Sequence, residues 1–229
     1  MARKGFSEKE RRARREEILD AAQSLFEEQG GIEAVSFRNV ASVMGCSYTA
    51  PYRYFSGKDE LLTALRARAF RGIERAMLAV IDLNAPARQQ LETLAAAYIE
   101  FGMTRPNLYA LMFFELPNTD IAQRSIELKA AKRDALDVCT RVIAAGQGAG
   151  ELPGTIDALT ASHVFWAGAH GLVSLQVGEQ FVMGRSVRQL VPVLVQWLRT
   201  GLEQHEAGTR PVSIDNKDNA VNDGGGLKA

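Results

Sequence analysis

Apolar positions recur every three to four residues through most of the chain, and Gly, Pro or Asn interruptions divide them into about nine helical segments. Ser7 with Glu10 forms a capping-box signature. Behind it Ile18, Ala21, Ala22, Leu25 and Phe26 make one apolar stripe, stopped by Gly30 and Gly31. Ser36 opens a short second helix that runs through Val43 and closes at Gly45. Ser47 opens a third of about two turns that ends near Phe55, and Ser56 with Asp59 opens a longer fourth carrying Leu61, Leu62, Leu65, Ile73 and Met77. Further helices are expected from beyond Pro86 to about Met103, from Pro106, and over about 119–146, 157–178 and 187–204. Ser186 with Gln189 opens the last, and Pro192 within it should kink it or shift its start. No segment alternates as a strand would, so the expected fold is all-α.

The chain has 229 residues, 46% hydrophobic and 24% charged, which suits one large or two modest domains with a real core. Lys and Arg balance Asp and Glu at 27 each, so a polyanionic partner would have to meet a local patch. There is no run of 18 apolar residues and no apolar signal region, which points to a cytoplasmic protein without a membrane span. Cys46 and Cys139 are too few for a disulfide framework or a zinc site, and inert buried thiols are expected of them. Residues 1–15 carry seven basic side chains against two acidic ones, a net +5 that fits either a solvated helix start or an arm against phosphate. Residues 205–229 are polar and Gly-rich, the composition of a disordered tail.

The informative stretch is Val35 to Leu62. Two short helices joined by a turn at Gly45 describe a helix-turn-helix, whose second helix fits the major groove of DNA. That second helix reads Ser47-Tyr48-Thr49-Ala50-Pro51-Tyr52-Arg53-Tyr54, with three of the chain's five tyrosines. Hydroxyls and one Arg suit a surface that meets sugar, phosphate and thymine methyls better than a core face.

Residues 15–62 resemble the DNA-binding domain of the tetracycline-repressor-like (TetR) family of bacterial transcription regulators. The resemblance lies in Ile18, Ala22, Phe26 and Gly30, then Val35-Ser36-Phe37-Arg38-Asn39-Val40-Ala41, Gly45-Cys46-Ser47, and Ala50-Pro51-Tyr52-Arg53-Tyr54-Phe55 followed by Lys58-Asp59-Glu60-Leu61-Leu62. It implies that Ser47, Tyr48, Thr49 and Tyr52 contact the operator, Tyr52 on a phosphate, while Lys58 and Arg38 approach the backbone. Cys46 stands where the family usually has valine, and Tyr54 where histidine is commoner.

The second half carries a different chemistry. Tyr98, Phe101, Tyr109, Phe113 and Phe114 lie close in sequence with Met103 and Met112, a mixture that can line an adaptable apolar cavity or simply fill the core. His163, Trp166 and His170 share one helix face, but no carboxylate or thiolate nearby completes a metal set, and a buried, hydrogen-bonded His is expected. The string from Ala97 to Phe113, followed by Trp166, His170 and Gly171, resembles the regulator subgroup whose C-terminal domain is named WHG. That resemblance implies an effector-binding, dimer-forming domain over 85–204, after a DNA-binding domain over 16–62 and a connecting helix over 63–84. Phe101, Tyr109, Met112, Phe113, Trp166 and His170 are the expected pocket residues. Leu172, Leu175, Leu190, Leu194 and Trp197 are expected to meet a second copy across a two-fold axis.

The implied protein is a homodimeric, ligand-responsive repressor whose partners are double-stranded DNA, its own copy and an apolar effector, with no cofactor. An enzyme on a helical bundle fares badly, because no Ser-His-Asp order, phosphate-cradling Gly loop, H-E-x-x-H or cysteine cluster is present. A sequence-blind nucleic-acid binder would instead show steep salt dependence without site preference.

Overall fold

Capping chemistry sets where several of the helices begin. The Ser7 hydroxyl accepts the Glu10 N–H at 3.3 Å while the Glu10 carboxylate accepts the Ser7 N–H at 2.7 Å, which fixes the start of α1 (Glu8–Gln29). This computed structural model describes residues 7–29, 31–114, 120–121 and 125–204. After α1 come α2 (Phe37–Val43), α3 (Lys58–Leu78), α4 (Ala87–Thr104), α5 (Pro106–Phe113), α6 (Ile126–Gly148), α7 (Ala158–Val177) and α8 (Val187–Gln204), with no strand among the described residues. Arg3 and Lys4 of the basic arm, the stop at Gly30, part of the expected 119–146 helix and the tail from 205 lie outside the described residues.

Ser36 caps α2 by accepting the Asn39 N–H at 3.1 Å. Gly45, at φ 60°, ends it. The Cys46 N–H reaches back to the Ala41 carbonyl at 3.0 Å and the Gly45 N–H to Ser42 at 3.2 Å, a pairing that needs the left-handed residue.

Residues 47–55 depart from the expected two-turn α-helix. Pro51 has no N–H to give the Ser47 carbonyl, which takes the Ala50 N–H at 2.8 Å instead. Three-residue spacing then continues, with the Arg53 N–H on Ala50 and the Tyr54 N–H on Pro51, and the segment closes as a 3-10 turn over Pro51–Arg53. The next start also differs from expectation. Because α3 begins after Gly57, the third helical position falls on Glu60, and Glu60 rather than Asp59 accepts the Ser56 N–H, at 2.7 Å. α6 starts at Ile126, where the Ser125 hydroxyl accepts the Leu128 N–H. α8 opens where expected, with the Ser186 N–H on Gln189 at 3.1 Å, and runs unbroken through Pro192, which therefore does not shift its start.

One apolar core joins all of this. Ile18, Leu19, Ala22 and Phe26 of α1 pack with Val40 of α2 and with Leu61 and Leu65 at the start of α3. The same helix then carries Phe70, Ile73 and Met77 onward between α4 and α6, so α3 is common ground for both halves. α7 crosses α4 and α6, and α8 packs on α7 and α4. At the α4–α7 crossing a side chain on Gly102 would collide with Val173, so glycine there sets how closely the helices approach. Among the described residues no helix is long and apolar enough to cross a membrane.

Candidate nucleic-acid interface and interior cavity

The turn made by Pro51 leaves its neighbours outside. Tyr48 and Tyr52 are 68% and 58% exposed, and Arg38, Ser47, Thr49 and Arg53 are exposed with them, while Lys58 is half-buried at the head of α3. Tyr52 is nevertheless fixed, because its ring meets Phe37 of α2 edge-on at 4.4 Å and 86°. Ser47 and Thr49 pair their hydroxyls at 2.9 Å. Tyr54 turns the other way and packs on the core above Phe55, so the three clustered tyrosines do not share one surface.

Arg15 of α1 lies 4.8 Å over the Phe55 ring and donates to Glu127 at 3.0 Å, and Arg71 of α3 donates to the other Glu127 oxygen at 2.7 Å. Partial burial pushes the Glu127 carboxyl up, but the hydrogen bonds and charges of Arg71 and Arg15 outweigh it and hold the group below its ordinary value. These residues border a charged groove of about 630 Å³ that also includes Arg11, Arg12 and Arg53.

A second space of about 490 Å³ lies between α3, α4, α6 and α7, walled by apolar side chains such as Phe70, Ile73, Leu94, Met112, Phe113 and Phe165. At Tyr98 and Trp166 this wall meets a buried chain of hydrogen bonds. Trp166 Nε1–H donates to the Tyr98 hydroxyl at 3.0 Å, and Tyr98 pairs with the Tyr109 hydroxyl at 3.0 Å. Tyr109 pairs with His170 Nδ1 at 2.6 Å, and His170 Nε2 with Ser174 at 3.2 Å. Burial lowers His170, which favours neutral imidazole; Nδ1 then accepts from Tyr109 and Nε2–H donates to Ser174. Burial also pushes the Tyr98 hydroxyl up to about 12 and Tyr109 further in the same direction. The donors of Trp166, Tyr98, Tyr109 and His170 are thereby used internally. The Cys139 thiol in the cavity wall is likewise pushed up to about 12 by burial, the setting of an inert thiol, whereas Cys46 is only half-buried.

Residues 18–65 match the pattern described as bacterial regulatory proteins of the tetR family, and residues 91–198 match the tetracyclin repressor-like C-terminal domain. The chain belongs to the TetR family of transcriptional regulators. Its likeness to individual proteins is more distant. A 78-residue stretch is 33% identical to the HTH-type transcriptional regulator Rv1255c of Mycobacterium tuberculosis, covering 34% of this chain and only 38% of that protein. The structure of a protein of unknown function from Rhodococcus sp. RHA1 is 27% identical with a TM-score of 0.70, covering 83% of this chain and 95% of the other. The regulator FadR from Bacillus subtilis, solved in complex with stearoyl-CoA, shares the fold at 18% identity and a TM-score of 0.66, over 81% of this chain and 98% of that one. Members of the TetR family are transcriptional regulators, not enzymes.

Within the TetR frame the expected pocket residues divide. Met112, Phe113 and Trp166 stand on the cavity wall. Phe101, Tyr109 and His170 do not. Phe101 faces the opposite side of α4, close to Gly72 and under the Arg105 guanidinium at 5.3 Å, and Tyr109 and His170 stand behind Tyr98 and Trp166 in the buried chain. His163, expected to be buried, is exposed at the cavity edge with Nδ1 on the Leu159 carbonyl at 2.8 Å. Phe70, Ile73 and Met77 of α3 and Lys132, Leu136 and Cys139 of α6 complete the wall without a sequence signal, since their spacing reads equally as filled core. Of the expected interface residues, Leu175 and Trp197 are 42% and 72% exposed, Leu172 and Leu190 are half-buried, and Leu194 packs against Gly168.

Proposed function

We propose that this TetR-family chain is a cytoplasmic, homodimeric repressor that reads a palindromic operator through residues 47–53 and releases it when a largely apolar effector enters the cavity. The anchored exposure of Tyr52 carries the reading. A phenol held edge-on by Phe37, with no hydrogen bond to another described residue, is preorganised to meet a phosphate. Arg38, Ser47, Tyr48, Thr49, Arg53 and Lys58 are the other proposed contacts. Dimerisation is supported by α7 and α8, where Val164, Ala167, Gly171 and Leu175 fall on one helical face and Leu175 and Trp197 are open. A side chain on Gly171 would meet nothing within 4 Å in its own chain, which leaves that face open to the close approach of a second copy. The effector acts by favouring one half-site spacing over the other.

Footprinting and gel shifts test the reading. Tyr52→Ala should weaken binding to the protected palindrome by at least about tenfold, the loss of one or two good contacts. A sequence-blind binding curve that falls steeply with salt, or an unchanged affinity in Tyr52→Ala, overturns it.

A further inference from the structure

The cavity is apolar, yet Lys132 on its wall has no counter-charge among the described residues, and Arg66, buried outside the lining, has none either. Lys132 of α6 lies on its wall and is exposed to solvent, with Nζ 5.6 Å from the centre of the Phe70 ring. Arg66 of α3, one turn before Phe70, is only 2% exposed. It donates through Nη2 to the Met112 carbonyl at 2.9 Å, and its Nε has no partner at all. Holding a carbonyl at the end of α5 explains one of its donors and leaves the charge unanswered. Burial lowers both groups, and the charge of Arg66 lowers Lys132 further. The carboxylates near them are engaged elsewhere: Glu127 holds Arg15 and Arg71, and Asp134 holds Arg133. Among the described residues no carboxylate pairs with Arg66 or Lys132. An unmatched buried cation is costly, and a bound anion removes the cost.

We propose that the effector is an amphiphile with an anionic head of the carboxylate class, its apolar body between Phe70, Ile73, Leu94 and Phe165 and its charge on Lys132. This deepens the effector reading above and rests on it. The volume suits such a molecule, since ligand cavities commonly run from about 300 to 1,000 Å³. The closed chain of hydroxyls at Tyr98 has no donor to spare for a polar head, which leaves the Lys132 end as the place for it.

Calorimetric titration of the full chain with laurate and with 1-dodecanol, which share a hydrocarbon body and differ in head charge, tests the proposal. Laurate should bind more tightly by about tenfold or more, the scale of one charge-assisted contact. Lys132→Gln should collapse that preference toward parity, while Arg141→Gln on the exposed side of the same helix leaves it intact. Equal binding of the two, or an undiminished preference in Lys132→Gln, overturns the anionic head while the apolar effector stands. Binding of neither removes the effector reading together with this one.

Discussion

Arg15 and Glu127 meet at 3.0 Å across 112 residues of sequence, joining the helix beside the reading segment to the helix that walls the cavity. Arg15 also covers Phe55, and Glu127 stands in the first turn of α6, so a displacement of α6 is felt beneath residues 47–55. Glu127→Gln should cost about 1 kcal/mol, since the ion pairs are partly solvated, and should reduce the effect of laurate on operator affinity. The pH dependence has a definite sign. The carboxyl is held below its ordinary 4.5, so its contribution is present above that pH and fades as pH falls through the lower folded value. Urea unfolding between about pH 3 and 6 should show a shallower acid loss in the variant than in the parent; identical slopes would dismiss the clamp.

Tyr52→Phe separates anchoring from contact. The phenyl ring keeps its edge on Phe37, so thermal stability should hold, while loss of the hydroxyl should weaken operator binding by about 0.5–1.5 kcal/mol. Phe37→Leu should do the reverse in kind, loosening the segment with every hydroxyl still present. Gel-shift affinities beside melting curves distinguish the two.

The buried relay predicts an acid-sensitive fold. Burial depresses His170 below its ordinary 6.5, so the unfolded chain takes a proton first as pH drops, and stability declines below that value until the folded imidazole is charged as well. His170→Gln should flatten unfolding free energies between about pH 5 and 7.5. Tyr109→Phe removes the 2.6 Å partner of His170 Nδ1 and leaves it only the Tyr98 hydroxyl at 3.3 Å, which should cost about 1 kcal/mol at neutral pH.

Gly171→Leu tests the two-fold. Within one chain the added side chain meets open space, and leucine is the better helix former, so monomer stability should hold or rise. Light scattering should then report half the parent's mass. A dimer of unaltered mass would place the interface elsewhere.

Most helix starts were legible because capping is local: Ser7, Ser36 and Ser186 each use a partner three residues on, within reach of sequence inspection. Residues 47–55 take another shape than the expected helix because Pro51 deletes a helical bond, an effect that periodicity and capping do not register. The cavity was only half legible. Phe113 and Trp166 carry an aromatic signal, whereas Ile73 or Leu136 looks the same whether it faces a neighbour or an empty space, and that depends on how α3 and α6 happen to be spaced. The meeting of Arg66 with Lys132 had no sequence signature, because it joins helices more than sixty residues apart.

The hydroxyl relay from Trp166 to Ser174 also bears on how such a sensor diversifies. With those polar groups committed to one another, the apolar wall beside them would select an effector by contour. Swapping one aliphatic for another at Ile73, Leu94 or Leu136 would retune the preferred chain length or branching without rewiring any bond, so a duplicated gene could acquire a new inducer through a few conservative steps.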